Sequence, residues 1–176
     1  MSGARLEGAD ECGFVYDAVD VASVPAALRA AAATIADLLC RPELAGSLRR
    51  RPEPAVWSAL EYAGHLRDVV LVQRDRVLLA LVVDEPGFVP MYRDERVGLA
   101  HYNDDDPGQV ARELVMAAGL FARLLARLDE AQLARPCRYN YPVPARVDLG
   151  WVARHTLHEA IHHLADVRRV LDEVAV

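Results

Sequence analysis

The sequence predicts an all-α protein built as a four-helix bundle. Three observations carry this expectation: four segments with helical hydrophobic period, helix-start residues ahead of them, and a composition rich in alanine and leucine. The 176 residues suit a single domain spanning 1–176, with an irregular segment over 1–20. That length buries a core without disulfide staples.

The elements follow in chain order. Phe14-Val15-Tyr16 is a short β-like run in the irregular segment. Ser23 is placed to cap a first helix, with Pro25 in its first turn, ending at Leu39 or Leu44. Arg49-Arg50-Arg51-Pro52-Glu53-Pro54 breaks the period. A long second helix is predicted over 55–83, with Val56, Leu60, Ala63, Leu66, Val70, Val77 and Leu81 as its apolar stripe. Residues 86–106 lack helical period, and a connection this long in a small domain is functional or a crossover. Asp106-Pro107 starts a third helix, with Val110, Leu114, Ala117, Phe121, Leu124 and Leu128 in heptad spacing. Residues 136–149 read as extended, punctuated by Pro142 and Pro144, and a fourth helix is expected over 150–173.

Composition narrows the function. The net charge of −6 argues against nucleic acid, which wants a basic face. All 20 basic residues are arginine. Cys12, Cys40 and Cys137 are odd in number, widely spaced and form no C-x-x-C pair, which fits a reducing compartment. No signal peptide is visible, and the longest apolar run, 77–83, reads as part of a buried helix. A cytoplasmic protein without membrane partners is expected.

Chemistry concentrates in the histidines. His155, His158, His162 and His163 share the last helix, His65 lies within the second, and His101 falls in the crossover. His158-Glu159-Ala160-Ile161-His162 spells the H-E-x-x-H of zinc proteases, in which both histidines bind the ion and the glutamate is the base. Its metzincin extension requires glycine and histidine where Ala165 and Arg168 stand.

Helix phase selects a different pair. With Leu157, Ala160, Leu164, Val167 and Leu171 as the buried face, His163 lies roughly 75° and Glu159 roughly 115° from its centre. His158 and His162 lie roughly 145° to 175° away, toward solvent or a partner; His155 is grouped with them as outward-facing. His65 sits about 100° from the centre of its own stripe. Glu159 and His163 are four residues apart and reach one ion together, with His65 meeting them from a neighbouring helix. Two imidazoles and one carboxylate leave coordination positions open, as in catalytic zinc sites, and the set also suits nickel or Fe(II). Glu61, one turn before His65, and Asp166, three after His163, are candidates to hold the ligands' second nitrogens.

Two segments carry a family resemblance. Trp57-Ser58-Ala59-Leu60-Glu61-Tyr62-Ala63-Gly64-His65-Leu66 resembles the W-x-x-x-E-x-x-x-H-L segment of DinB/YfiT-like proteins. Glu159-Ala160-Ile161-His162-His163, followed by Leu164-Ala165-Asp166, resembles their last-helix motif. There the final ligand is followed three residues later by glutamine or aspartate, and in the mycothiol-dependent maleylpyruvate isomerase branch the first ligand is glutamate. Asp166 fixes the register so that Glu159 and His163 fall on the ligand positions, in agreement with the helix phase. By helix order the resemblance spans about 20–174.

The resemblance implies an up-up-down-down bundle with a long crossover between helices two and three. It also implies a divalent metal, usually zinc or nickel, frequent homodimers, and reactions in which a low-molecular-weight thiol meets an electrophile. The arginine-only, alanine-rich composition suits an actinobacterial source, which makes mycothiol the expected thiol. A metal-dependent thiol S-transferase is therefore the first expectation, with His65, Glu159 and His163 as ligands. Arg154 is a candidate for holding the thiol co-substrate, as are Arg67, Tyr92 and Arg93. The alternatives are a metal-dependent hydrolase with Glu61 or Asp166 as base, and a non-catalytic metal-binding stress-response protein.

Overall fold

The computed structural model describes residues 14–140 and 143–175. Four long helices, α1 (Val24–Leu39), α2 (Ala59–Val82), α4 (Pro107–Leu125) and α6 (Leu149–Val174), form the bundle. Two short helices, α3 (Arg93–Leu99) and α5 (Glu130–Leu133), lie in the connections. So do strands β1 (Gly87–Phe88), β2 (Pro136–Asn140) and β3 (Pro144–Asp148). β2 and β3 form an antiparallel hairpin, and β1 adds to β2 in parallel, pairing Phe88 with Tyr139. The extended segment seen in the sequence therefore supplies two of the three strands of a small sheet capping one end of the bundle.

Capping residues set the helix ends. Ser58 opens α2 with a capping box: its hydroxyl accepts the Glu61 N–H at 3.2 Å, and the Glu61 carboxylate accepts the Ser58 N–H at 2.8 Å. This starts α2 at Ala59, four residues later than its hydrophobic period suggests, and leaves Val56 in a turn. Asp106 caps α4 by accepting from Gln109 N–H, with Pro107 at the first position, as the sequence indicates. α4 ends at Leu125, so Leu128 lies beyond it. Asp148 caps α6 through Trp151 N–H. Ser23 does not cap α1; its hydroxyl donates to the Asp20 carbonyl instead. Tyr16–Ala18 is a 3-10 turn rather than a strand.

Around the bundle the order is α1, α4, α2, α6, with α1 and α2 on one diagonal. Their directions differ from the expected up-up-down-down order. The start of α6 lies beside the segment leading into α1, since Arg154 bonds the Val19 carbonyl and Gly150 lies against Val21. At the other end Arg50, after α1, bonds the Val174 carbonyl. α1 and α6 thus run in parallel. Tyr62, early in α2, meets His163, whereas Arg76, late in α2, meets Tyr139, which packs on Trp151; α2 therefore opposes α6. Arg67 to Glu113 places the first halves of α2 and α4 together, in parallel. The order is up-down-down-up. Up-up-down-down needs two long crossovers, and only the return from α2 to α4 runs the length of the bundle. That crossover holds β1, α3 and a 3-10 turn at Tyr102–Asp104 where the sequence shows no period.

The core is the interior of these four helices, with Leu28, Ile35, Leu60, Leu66, Leu114 and Phe121 fully buried. By length and composition alone, the helical stretch Val21–Leu39 is apolar enough to cross a membrane. Its Val24, Leu28, Ala32 and Ile35 are spent in the core, where an amphipathic bundle helix places them. Cys40 is exposed and Cys137 buried, both free, while Cys12 lies outside the described residues.

Candidate metal centre

α2 and α6 pack side by side in opposite directions, which brings His65 against the middle of α6. One ligand atom from each of His65, Glu159 and His163 lies within 4.8 Å of the others. His163 Nε2 is 3.6 Å from Glu159 Oε2, and the two imidazole rings meet edge to face at 5.0 Å. Both histidines are buried, while the Glu159 side chain keeps 21 % of its surface. His65 Nδ1 and His163 Nε2 are buried and make no hydrogen bond among the described residues. Buried polar atoms of this kind are costly unless a partner satisfies them. A divalent cation with two nitrogen donors and a carboxylate fits that set.

The surrounding side chains fix the ligands' orientation. Asp166 Oδ2 lies 3.1 Å from His163 Nδ1, so the carboxylate takes that N–H and leaves Nε2 directed at Glu159. Asp166 is held in turn by Arg169 and borders His162. Trp57 packs edge-on against His65 at 5.0 Å. Glu61, the other candidate for this supporting role, is committed elsewhere: beyond its cap it accepts two hydrogen bonds from the Arg51 guanidinium. Replacing Asp166 with alanine is expected to weaken metal binding about 10- to 100-fold, the usual cost of losing a ligand's carboxylate partner, as measured by competition against a chromogenic chelator.

Electrostatics prepare the three groups unequally. Burial pushes His65 down to about 3, with the neighbouring His163 adding to the effect, so it is a neutral donor at physiological pH. Burial favours the neutral acid of Glu159, but His163, and then His155 and His65, outweigh it and hold the carboxyl well below its ordinary range. Burial also works against a charge on His163, yet Asp166 and Glu159 on either side raise its pKa. A metal must therefore displace a proton from His163. Affinity is expected to rise about tenfold per pH unit from pH 6.5 until the raised pKa of His163 is passed, and then to level. Calorimetry in buffers of different ionisation enthalpy should show proton release on metal binding below the raised pKa of His163 and a decline of that release above it. Without metal, His65 works in the opposite sense at acid pH. The unfolded chain takes up its proton near 6.5 and the folded chain only near 3, so stability falls as pH drops through that window.

The other histidines of α6 are not the solvent-facing set that helix phase suggests. His155 and His158 are buried, because residues before α1 lie across them. The Tyr16 hydroxyl is 2.8 Å from His155 Nδ1 and 3.2 Å from His158 Nδ1, and the Phe14 ring lies 5.2 Å from that of His158. Trp151 stacks on His155 at 4.7 Å. His155, His158 and Glu159 form a second group with metal-binding spacing, and His162, His163 and Asp166 a third. His101 is exposed at the end of α3, in a left-handed backbone conformation.

A cavity of about 60 Å³ opens beside the triad. His65, Glu159 and His155 form one part of its wall, Met91, Tyr92 and Arg93 of the crossover another, and Gln73, Arg76 and Tyr139 a third. Tyr92 and Arg93, two of the candidates for holding a thiol, thus lie on this wall. Tyr92 also adopts a left-handed conformation (φ 52°), rare for an aromatic residue. Arg154 is absent from this wall, its guanidinium being bound to the Val19 carbonyl at 2.8 Å. Arg67 is likewise committed, to Asp68, Asp105 and Glu113. Gln73, Arg76 and Tyr139 were not singled out by the sequence, although Gln73 and Arg76 continue the helical spacing of His65 and Val69 along α2.

The family model of the DinB superfamily matches residues 23–167. The chain belongs to the DinB superfamily. YfiT from Bacillus subtilis, described as a probable metal-dependent hydrolase with an unusual four-helix bundle topology, has a similar structure. The TM-score is 0.68 at 19% identity, over 85% of this chain and 81% of that one. No curated protein matches the sequence. The DinB superfamily assignment and the four-helix bundle agree with the expectations from sequence. His65, Glu159 and His163 form one of three groups among the described residues of this DinB-superfamily chain that could hold a metal ion.

Proposed function

We propose that the chain is a metal-dependent thiol S-transferase, with His65, Glu159 and His163 holding a divalent ion such as zinc or nickel. Mycothiol is the first low-molecular-weight thiol to test. The observation that carries this reading is the donor set of the cavity. The triad joins two imidazoles and a carboxylate, two buried imidazole nitrogens have no hydrogen bond among the described residues, and the remaining wall supplies two guanidinium groups but no further carboxylate. Bound there, a divalent ion supplies Lewis acidity, which favours the thiolate form of a thiol at neutral pH.

The chain's own residues then have distinct tasks. Asp166 keeps the Nδ1 proton of His163 in place and so holds Nε2 as a donor. Val69 and Met91 provide apolar wall that limits water at the sulfur. Arg76 and Arg93 favour an anionic partner. The thiol proton would pass to solvent, and attack of the thiolate on a haloarene carbon would form the C–S bond and expel halide, so the transfer needs no protein base. The carboxylates expected to serve a hydrolase as base, Glu61 and Asp166, are bound to Arg51 and His163 respectively and do not line the cavity.

One observation favours hydrolysis as a second reading: His155 stands on the cavity wall, 3.9 Å from Glu159, where an imidazole can carry a proton. Metal-replete protein mixed with mycothiol and a haloarene or bimane should form the S-conjugate, and chelation should stop it. Absence of turnover together with absence of thiol binding by calorimetry would overturn the transferase reading. Turnover of ester or amide panels without thiol would replace it with the hydrolase.

A further inference from the structure

Among the described residues Arg76 is the buried arginine, and the fold gives it no counter-charge. It is 9% exposed, and no carboxylate pairs with it among the described residues. Its partners are all neutral. Nη1 donates to Gln73 Oε1 at 3.1 Å and to the Tyr139 hydroxyl at 3.0 Å, and Nη2 donates to the Val89 carbonyl. The guanidinium also lies 5.0 Å from the Tyr139 ring centre and 5.5 Å from that of Phe88.

The donors do not balance the acceptors. Arginine has five N–H groups and cannot accept. Three are used, which leaves Nε–H and one Nη2–H without an acceptor among the described residues. Because arginine only donates, Gln73 must turn its carbonyl oxygen toward Arg76, and its amide nitrogen then donates to the Tyr139 hydroxyl at 2.7 Å. That hydroxyl oxygen therefore accepts from both Gln73 and Arg76, and its own proton remains to be given away. Gln73, Arg76 and Tyr139 all line the cavity beside the triad. Nε–H and Nη2–H together are the pair of donors that arginine offers to a carboxylate in two parallel hydrogen bonds.

We propose that Arg76 and Tyr139 form a carboxylate-binding subsite, and that the molecule occupying the cavity carries a carboxylate there. Arg76 supplies the charge and the two-pronged contact, and Tyr139 adds a third donor. Gln73 is a positioning residue, since its orientation leaves the Tyr139 proton free. Burial works to lower the Arg76 pKa, with Tyr139 opposing, as expected of a cation awaiting a counter-ion. The β1–β2 pairing fixes the geometry by setting Tyr139 beside Phe88, next to the Val89 carbonyl that Arg76 holds. The inference rests on the cavity being the substrate site, as proposed above, but not on the identity of the metal or of the reaction.

The test uses benzoate, its neutral isostere benzamide, and inorganic phosphate as probes, by calorimetry on the full chain. Benzoate is expected to bind more tightly than either of the others. Arg76→Gln should weaken benzoate at least tenfold, Arg76→Lys should restore only part of the loss, and Tyr139→Phe should weaken it severalfold. His163→Ala, which removes a proposed metal ligand, should leave benzoate binding within about twofold of the unmutated protein. Titration of unmutated protein should also shift the Nε–H nuclear magnetic resonance of Arg76, a readout that stands even where a variant fails to fold. The subsite is refuted if benzoate and benzamide bind alike or not at all, if phosphate binds more tightly, or if the Arg76 resonance does not move. Binding lost in His163→Ala but retained in Arg76→Gln would also refute it, by placing the anion at the triad. Failure of the metal reading alone would appear differently, as absent metal with benzoate binding intact.

Discussion

Replacing His163 with alanine is expected to lower metal affinity by about two to three orders of magnitude. Structural zinc sites in small peptides bind with about 10–16 kcal/mol, so one ligand among three or four carries about 3–4 kcal/mol. His65→Ala should behave the same way, because both imidazoles have a buried nitrogen without a hydrogen bond among the described residues. Glu159→Gln keeps the shape and removes the charge that burial alone would not sustain. Elemental analysis after gel filtration should find close to one equivalent of metal in the parent protein and almost none in these variants. His158→Ala is the control. His158 lies against Phe14 at a tilt and contacts Tyr16, outside the triad, so its loss should leave metal content unchanged. Metal retained in His163→Ala but lost in His158→Ala would move the centre to the neighbouring cluster of His155, His158 and Glu159.

Gly64→Leu is expected to destabilise the fold by about 3 kcal/mol, seen as a fall in Tm of roughly 6–12 °C. A Cβ at Gly64 would lie 3.1 Å from Tyr102 Cγ and 3.3 Å from its Cβ, and Tyr102 is almost completely buried. Tyr102 is pinned through its hydroxyl to Asp68 and sits beneath Arg67, so it has little room to withdraw. The better helix propensity of leucine, at most about 1 kcal/mol, offsets only part of the cost. The effect reaches the site because Gly64 precedes His65 and because the crossover that carries Tyr102 also carries Met91, Tyr92 and Arg93 to the cavity. Alanine at Gly46, where an added Cβ meets nothing, should change Tm by little.

The parts of the site legible in the sequence are those that one helix determines by itself. Glu159 and His163 are four apart and on the border of the α6 apolar face, and His65 lies on a similar border of α2, so phase alone proposes the trio. The bundle is legible for the same reason, since Val110, Leu114, Ala117 and Phe121 repeat at the spacing that the buried face of α4 requires. Helix phase fails where another segment covers a face that the stripe marks as outer. Phe14 and Tyr16 have no periodicity to announce that they lie over His155 and His158. The direction of the helices depends on where connections return, which short apolar stripes do not encode. Glu61 illustrates a competition between two local patterns: one turn before His65 it resembles a ligand support, but Ser58-x-x-Glu61 is also a capping box, and Arg51 completes the second use. Arg76 and Tyr139 are far apart in sequence and meet only because β1 pairs with β2.

The most direct measurement is anomalous diffraction from crystals of the metal-loaded protein, collected on either side of the metal's absorption edge. The account predicts one strong peak within bonding distance of a nitrogen of His65, a carboxylate oxygen of Glu159 and Nε2 of His163, with Asp166 on the far side of the His163 ring. A peak among His155, His158 and Glu159, or among His162, His163 and Asp166, with none at the triad, would contradict it.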